Sequence, residues 1–183
     1  MAGSLLLLVG TLSAHAQAGD AWLKFGKNAD RLEARMGIMS YDTGFFTQHN
    51  QTGVVVNGEL VFPSPSFLDF IGSPRPYIGF DFAPNSNQTD FVYAGLNWEA
   101  YFTERVYLTA SIGGSLNNAS DLINPVGYRA LGCRALFHLG AGIGFDITSD
   151  VTVQLYADHF SNANICRKNG GQEAAGVRFG YRF

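Results

Sequence analysis

Residues Gln172 to Phe183 read QEAAGVRFGYRF. Alternate positions Ala175, Val177, Phe179, Tyr181 and Phe183 are apolar or aromatic, while Ala174, Gly176, Arg178, Gly180 and Arg182 between them are small or cationic. Successive side chains of a strand point to opposite faces, so this sorting marks a β-strand with one greasy face and one polar face. Helical phasing would scatter the same residues around a cylinder. The pattern recurs upstream. In 90–102, Val92, Ala94, Leu96, Trp98, Ala100 and Phe102 oppose Phe91, Tyr93, Gly95, Asn97 and Glu99. In 105–112, Val106, Leu108, Ala110 and Ile112 oppose Tyr107, Thr109 and Ser111. In 134–147, Ala135, Phe137, Leu139, Ala141, Ile143, Phe145 and Ile147 oppose Arg134, His138, Asp146 and three glycines.

The periodicity predicts eight strands, at 31–41, 51–62, 76–84, 89–102, 105–115, 130–147, 151–163 and 172–183, separated by turn-forming clusters such as Asp42-Thr-Gly, Pro63-Ser-Pro, Asn117-Asn-Ala-Ser and Lys168-Asn-Gly-Gly. The 183 residues are 46% hydrophobic, 14% aromatic and 15% charged, with a net charge of -3, which excludes a disordered chain. Twelve Lys and Arg against fifteen Asp and Glu leave no basic surplus for a nucleic-acid partner. No second domain or internal repeat is visible.

The apolar run Ser4–Ser13 (SLLLLVGTLS), followed by small residues at Ala14, Ala16 and Ala18, reads as a signal peptide with A-x-A cleavage after Ala16 or Ala18, although no Lys or Arg precedes the run. Residues 1–18 are then removed and 19–183 form the mature domain. No later stretch offers a membrane helix.

Two all-β architectures fit the alternation. A soluble sandwich or lipocalin-like barrel hides its apolar face, whereas an outer-membrane barrel turns it to lipid and keeps polar groups within. The polar faces bear Glu33, Arg35, Asn57, Glu59, Asp81, Asn97, Glu99, Arg134, His138, Asp146, Asp158, Arg178 and Arg182, mixed with glycines. An eight-stranded barrel has an interior that its own side chains fill, so this mixture suits a lumen. Trp98, Phe102, Phe137, Phe145, Phe179, Tyr181 and Phe183 suit lipid and its aromatic girdles. The last strand also resembles the C-terminal strand of bacterial outer-membrane proteins. The expected fold is an eight-stranded antiparallel transmembrane β-barrel.

Strand seven breaks the rule. Val151, Val153, Leu155 and Ala157 set its lipid-facing parity, yet His159 and Ser161 follow on that parity, and Glu173 shares the outward parity of strand eight. Directly opposed Cβ atoms in an antiparallel hairpin lie about 4.5–5.5 Å apart. A register pairing His159 with Glu173 lets the imidazole take the Ser161 proton while the carboxylate orients the ring, the arrangement that activates a weak hydroxyl nucleophile. With both termini periplasmic, this hairpin meets at the external loop 164–171, so the trio faces the lipopolysaccharide leaflet.

His159-Phe-Ser161-Asn162-Ala163, followed by Glu173 and by the terminal Gly180-Tyr-Arg-Phe, resembles the outer-membrane lipid A 3-O-deacylase (PagL) family. The resemblance is sharp over about residues 128–183 and diffuse upstream. It implies an outer-membrane esterase that hydrolyses the 3-O-linked hydroxyacyl chain of lipid A through an acyl-enzyme. Ser161 would be the nucleophile, His159 the general base and acid, and Glu173 the residue orienting the histidine. Asn169 takes the position of a side-chain oxyanion donor, with a main-chain N–H around Asn164 as the second. Family members often have glycine there, so Asn164 puts the loop geometry in question, and Asn162 is divided between supporting the turn and serving the site. The scheme requires no metal and no cofactor.

His15 lies in the signal segment, His49 in an external loop and His138 on the luminal face, and no metal-ligand spacing emerges. The Gly140-Ala-Gly-Ile-Gly run opens no helix and reads as room for bulky luminal neighbours. Cys133 and Cys166 both fall near the external rim, where export makes a disulfide chemically reasonable. The alternatives are a non-catalytic small barrel, acting as adhesin or envelope-stability protein, and an outer-membrane phospholipase. The sequence leaves open whether the barrel forms a homodimer.

Overall fold

A computed structural model of the chain describes residues 22–44, 51–85, 88–126 and 129–183. The 1–18 segment, with His15, and His49 lie outside the described residues. Eight long antiparallel strands alternate between buried and exposed positions: β1 (Glu33–Tyr41), β2 (Val54–Val61), β3 (Arg75–Phe82), β4 (Phe91–Tyr101), β5 (Val106–Asn117), β6 (Ala135–Asp146), β7 (Val151–Ser161) and β8 (Gln172–Arg182). Each pairs with its sequence neighbour, and β8 pairs back onto β1 from Glu33↔Arg182 to Tyr41↔Ala174, so the sheet closes. A two-residue strand, Lys24–Phe25, extends the ladder against Tyr101 and Ala100, beyond the point where β3 ends.

The turns on the side of the C-terminus are short, and two share one chemistry. Thr103 Oγ1 accepts the N–H of Arg105 and Val106, and Thr148 Oγ1 accepts those of Asp150 and Val151. Each threonine thereby satisfies backbone donors that the ladder leaves behind. The β2–β3 connection instead holds a 3-10 helix, Ser66–Ile71, which the alternation did not signal; Trp98 of β4 donates its indole N–H to the Ile71 carbonyl at 2.9 Å.

The lumen is filled and paired. Arg35 donates to Glu33, Glu59 and Glu99 at 2.7, 2.9 and 2.5 Å, and Arg182 reaches Asp146 at 2.9 Å and Glu33 at 3.3 Å. Arg178 lies over the Tyr156 ring at 3.4 Å and donates to Gln154. His138 is held between the Tyr93 and Phe160 rings, with its Nδ1 2.7 Å from the Tyr77 hydroxyl. A Cβ at Gly140 would collide with the Tyr156 hydroxyl and one at Gly144 with the Tyr107 ring, so these glycines make room for luminal tyrosines. The outer wall exposes Ile38, Ile78, Val92, Leu108, Ile112, Leu155 and Phe179.

One expected luminal residue is elsewhere. Arg134 is exposed, because β6 begins at Ala135 rather than at 130. Residues 129–134 leave the ladder and pack against 166–170. Removing a luminal cation is costly because a buried charge left without its partner destabilises by about 3–5 kcal/mol. Arg35→Met therefore lowers the unfolding free energy of the barrel in uncharged micelles by that order, read as a fall in the urea midpoint; an unmoved midpoint would show that the three glutamates do not depend on Arg35.

Candidate active site

The β7–β8 hairpin ends in chemistry that its own alternation exposes. Thr152, Gln154, Tyr156, Asp158 and Phe160 are buried in the lumen, so His159 and Ser161 stand on the outer parity of β7. The register opposes His159 to Glu173 and Phe160 to Gln172. His159 Nδ1 lies 3.3 Å from Glu173 Oε1, with the imidazole side chain 20% exposed and the carboxylate only 1%. Turning Nδ1 to the carboxylate leaves Nε2 as the nitrogen for proton transfer. Ser161 follows on the same face as the last residue of β7, across from Phe137 of β6. A hydroxyl, an imidazole and a carboxylate thus occupy one face of one hairpin end.

The loop after Ser161 is built around Asn162. Ala163 and Asn164 are both left-handed, at φ 50° and 62°, and Ile165 N–H closes the turn onto the Asn162 carbonyl at 3.0 Å. Asparagine tolerates this region better than most residues, so Asn164 adopts a conformation that glycine would also take. The Asn162 amide donates to the carbonyls of Leu131 and Lys168 at 2.7 and 2.6 Å, and its Oδ1 accepts the Cys166 N–H at 3.3 Å. That side chain is engaged by the loop. The Asn162 main-chain N–H donates to Asn169 Oδ1 at 2.9 Å, which leaves Asn169 Nδ2 to donate to Asn164 Oδ1 at 3.3 Å. The Asn169 amide group is accordingly fixed one residue from Ser161, with its donor end turned toward Asn164.

A second segment braces this loop. Cys133 and Cys166 are joined as a disulfide with Cα atoms 6.1 Å apart, inside the usual bridging range. Gly170 N–H donates to the Ala130 carbonyl at 2.9 Å, and a Cβ at Gly132 would strike the Lys168 carbonyl. Arg129 donates to the Gly170 carbonyl at 2.8 Å and grips Asp42 through Nε and Nη2 at 3.0 and 2.9 Å. Asp42, itself at φ 53°, donates its N–H to the Glu173 carbonyl at 2.6 Å. One buried ion pair therefore links the end of β1, the start of β8 and the loop containing Asn169.

Sequence reading did not find this clamp. Asp42 looked like a turn residue and Arg129 fell in the connection just before the predicted strand at 130–147; the only signal was an arginine in a stretch otherwise poor in charge. His138 belongs to the lumen, remote from the hairpin's outer face. Among the described residues no group of His, Cys, Asp and Glu is arranged to hold a metal. An open, apolar hollow of about 950 Å³ is lined by residues of β1–β6 and by none of β7 or β8.

The sequence model of the lipid A 3-O-deacylase (PagL) family matches residues 40–182. No curated relative matches the sequence. The fold is similar to the crystal structure of the outer membrane enzyme PagL, with a TM-score of 0.61 at 17% identity, covering 81% of this chain and 98% of that one. It is also similar to the N-terminal β-barrel domain of Pseudomonas aeruginosa OprF, with a TM-score of 0.57 at 12% identity over 84% and 98% of the two chains. De novo designed transmembrane β-barrels match with a TM-score of 0.54 at 12% identity, over 84% of this chain and 96% of the design. The structural likenesses establish the closed barrel, and the family match, running from the end of β1 to the end of β8, goes further: this chain, an outer-membrane ester hydrolase, belongs to the lipid A 3-O-deacylase (PagL) family.

Proposed function

We propose that the chain hydrolyses the ester of the 3-O-linked hydroxyacyl chain of lipid A, with Ser161 as nucleophile, His159 as general base and acid, and Glu173 as the carboxylate orienting the imidazole. The observation that supports this reading most directly is the register of His159 against Glu173, with Nδ1 and Oε1 3.3 Å apart. Ser161 Oγ attacks the ester carbonyl as His159 Nε2 accepts its proton. The tetrahedral intermediate collapses when His159 returns that proton to the sugar oxygen, leaving the acyl chain on Ser161. His159 then activates water, which releases the hydroxy fatty acid.

The negative charge on the carbonyl oxygen needs donors aimed in advance, and losing one typically costs about 10²–10³ in rate. The Asn169 Nδ2–H and a main-chain N–H around Asn164 fill this role, and Asn162 supports the turn that presents them. Exposed Phe137 and Leu139 of β6, beside the hairpin, and Leu155 of β7 supply an apolar wall along which an acyl chain can lie. Residues 1–18 serve export, leaving 19–183 as the mature domain. Every catalytic and oxyanion group named comes from a single β7–β8 hairpin, so a homodimer is not required.

Ser161→Ala is expected to lower acyl release by roughly 10⁴-fold or more while the barrel still folds, and Glu173→Gln to lower it less. Lipid A mass spectra from expressing cells check both; undiminished loss of one hydroxyacyl group in Ser161→Ala would exclude Ser161 as the nucleophile. Purified phospholipid offered beside lipid A separates the deacylase from a phospholipase, and faster phospholipid cleavage would reject the assigned substrate. Arg129→Met leaves Asp42 buried without its cation, so hydrogen exchange in residues 162–171 should accelerate along with a drop in acyl release, while the central strand amides keep their protection. Unchanged exchange in that loop would show that the clamp does not hold it.

A further inference from the structure

The twelve Lys and Arg fall into three groups of four along the barrel. Arg35, Arg75, Arg178 and Arg182 are luminal and interact with carboxylates there. At the end holding the C-terminus, Lys24, Lys27 and Arg31 pair with Glu104, Asp146 and Asp150, and Arg105 lies in the adjoining turn. At the opposite end Arg129 is committed to Asp42. The remaining three, Arg134, Arg167 and Lys168, are exposed, and among the described residues none of them forms an ion pair. Among the described residues the Arg134 guanidinium has one polar contact, donating to the Asn117 carbonyl at 3.2 Å.

These three cations are far apart in sequence and close in space. Arg134 follows Cys133 and Arg167 follows Cys166, so the 6.1 Å separation of the bridged Cα atoms holds the Cα atoms of Arg134 and Arg167 within about 14 Å. Two extended guanidinium side chains can converge on one anion across that gap. Arg134 also sits just beyond the outer end of β6, one residue before Ala135 and three before Phe137, which pairs with Ser161. At about 3.3 Å per residue in a strand tilted by roughly 40°, Arg134 stands about 5–8 Å nearer the outside than the hydroxyl. In the outer leaflet an acyl ester sits at the edge of the hydrocarbon and the sugar phosphates sit further out.

We propose that Arg134, Arg167 and Lys168 form a phosphate-binding subsite that seizes the phosphorylated sugar headgroup of lipid A while its ester lies at Ser161. The inference rests on the deacylase reading and adds the group by which the substrate is recognised. Guanidinium groups bind phosphate oxygens through paired charge-assisted hydrogen bonds, and an unpaired cation beside a low-dielectric surface is available for that contact. The disulfide serves the subsite by fixing one of its halves to the other. The cations touch no reacting atom, so the subsite acts on binding, and its loss should raise KM while leaving kcat unchanged.

The test uses the full chain, disulfide intact, in uncharged micelles. Calorimetric titration, with Ser161→Ala in every chain so that no ester is cleaved, compares phosphorylated lipid A, the same lipid A after enzymatic dephosphorylation, and phosphatidylglycerol, for the otherwise wild-type chain and for Arg134→Gln/Arg167→Gln/Lys168→Gln. The wild type should bind phosphorylated lipid A about tenfold or more tightly than the dephosphorylated form, and the triple variant should lose that preference. Arg134→Lys/Arg167→Lys should keep most of it, and single glutamine variants replace the triple variant if that fails to fold. A phosphate preference that survives in the glutamine variants overturns the subsite, as does its absence in the wild type. An equal loss of phosphatidylglycerol binding also overturns it, in favour of general attraction to an anionic surface. Because binding is read without turnover, a cation-dependent phosphate preference together with no acyl release by the chain that keeps Ser161 would refute the assigned reaction and leave the subsite standing.

Discussion

Everything in this molecule depends on the ladder that joins β8 to β1. In hydrocarbon an unpaired backbone N–H or C=O costs several kcal/mol, so a sheet can cross a membrane only if it has no edge. Closure divides the side chains of every strand into two unlike environments. The lumen takes charge, provided each ion finds a counter-ion, as Arg35 does with three glutamates. The outer wall takes apolar and aromatic groups. A polar residue on the outer parity must then be accounted for by its position along the strand, which is why His159, Ser161 and Glu173 stand out.

The barrel alone does not shape the loop that follows Ser161. Two consecutive left-handed residues, Ala163 and Asn164, cost of order 1–3 kcal/mol each unless the surroundings over-determine them. Here the surroundings come from elsewhere in the chain: the Leu131 carbonyl, the disulfide to Cys133 and the Arg129 contact to Gly170. The segment before β6 is thereby drawn out of the ladder and laid across the hairpin. A stretch read from alternation as five more residues of strand is used as a brace.

This contrast explains what sequence could and could not tell. The eight strands, the lumen and the pairing of His159 with Glu173 were legible because period two survives wherever both faces are buried in something, and because a hairpin's register follows from which residues share a face. Twelve of the thirteen residues assigned to the lumen are buried there. The exception, Arg134, shows the limit: parity assigns a face only while the residue belongs to the ladder. The Asp42–Arg129 pair spans 87 residues and involves segments with no periodicity, so nothing local announces it. The 3-10 helix at Ser66–Ile71 was hidden for the same reason, lying within a connection rather than a strand.

The depth of the hairpin end follows from two opposing demands. A charged side chain on the lipid face of a barrel costs about 2–4 kcal/mol at the midplane for Lys or Arg, less for Asp or Glu, and close to nothing near the interface. A hydrolase acting from the wall on an acyl ester must meet that ester where the chain joins the sugar, at the boundary of the hydrocarbon. The last residue of an outward-running strand satisfies both demands at once, because an imidazole and a carboxylate are cheap there and, on the proposed reading, the ester is within reach. The same position has a weakness: a strand end has neighbours on its inner side only, so its groups are free to fray. Bracing by loops from β1 and from the β5–β6 connection supplies the missing side. A site on the outer wall of a barrel therefore needs its external loops for geometry as much as its strands, and the 1% exposure of Glu173 records how closely that end has been covered.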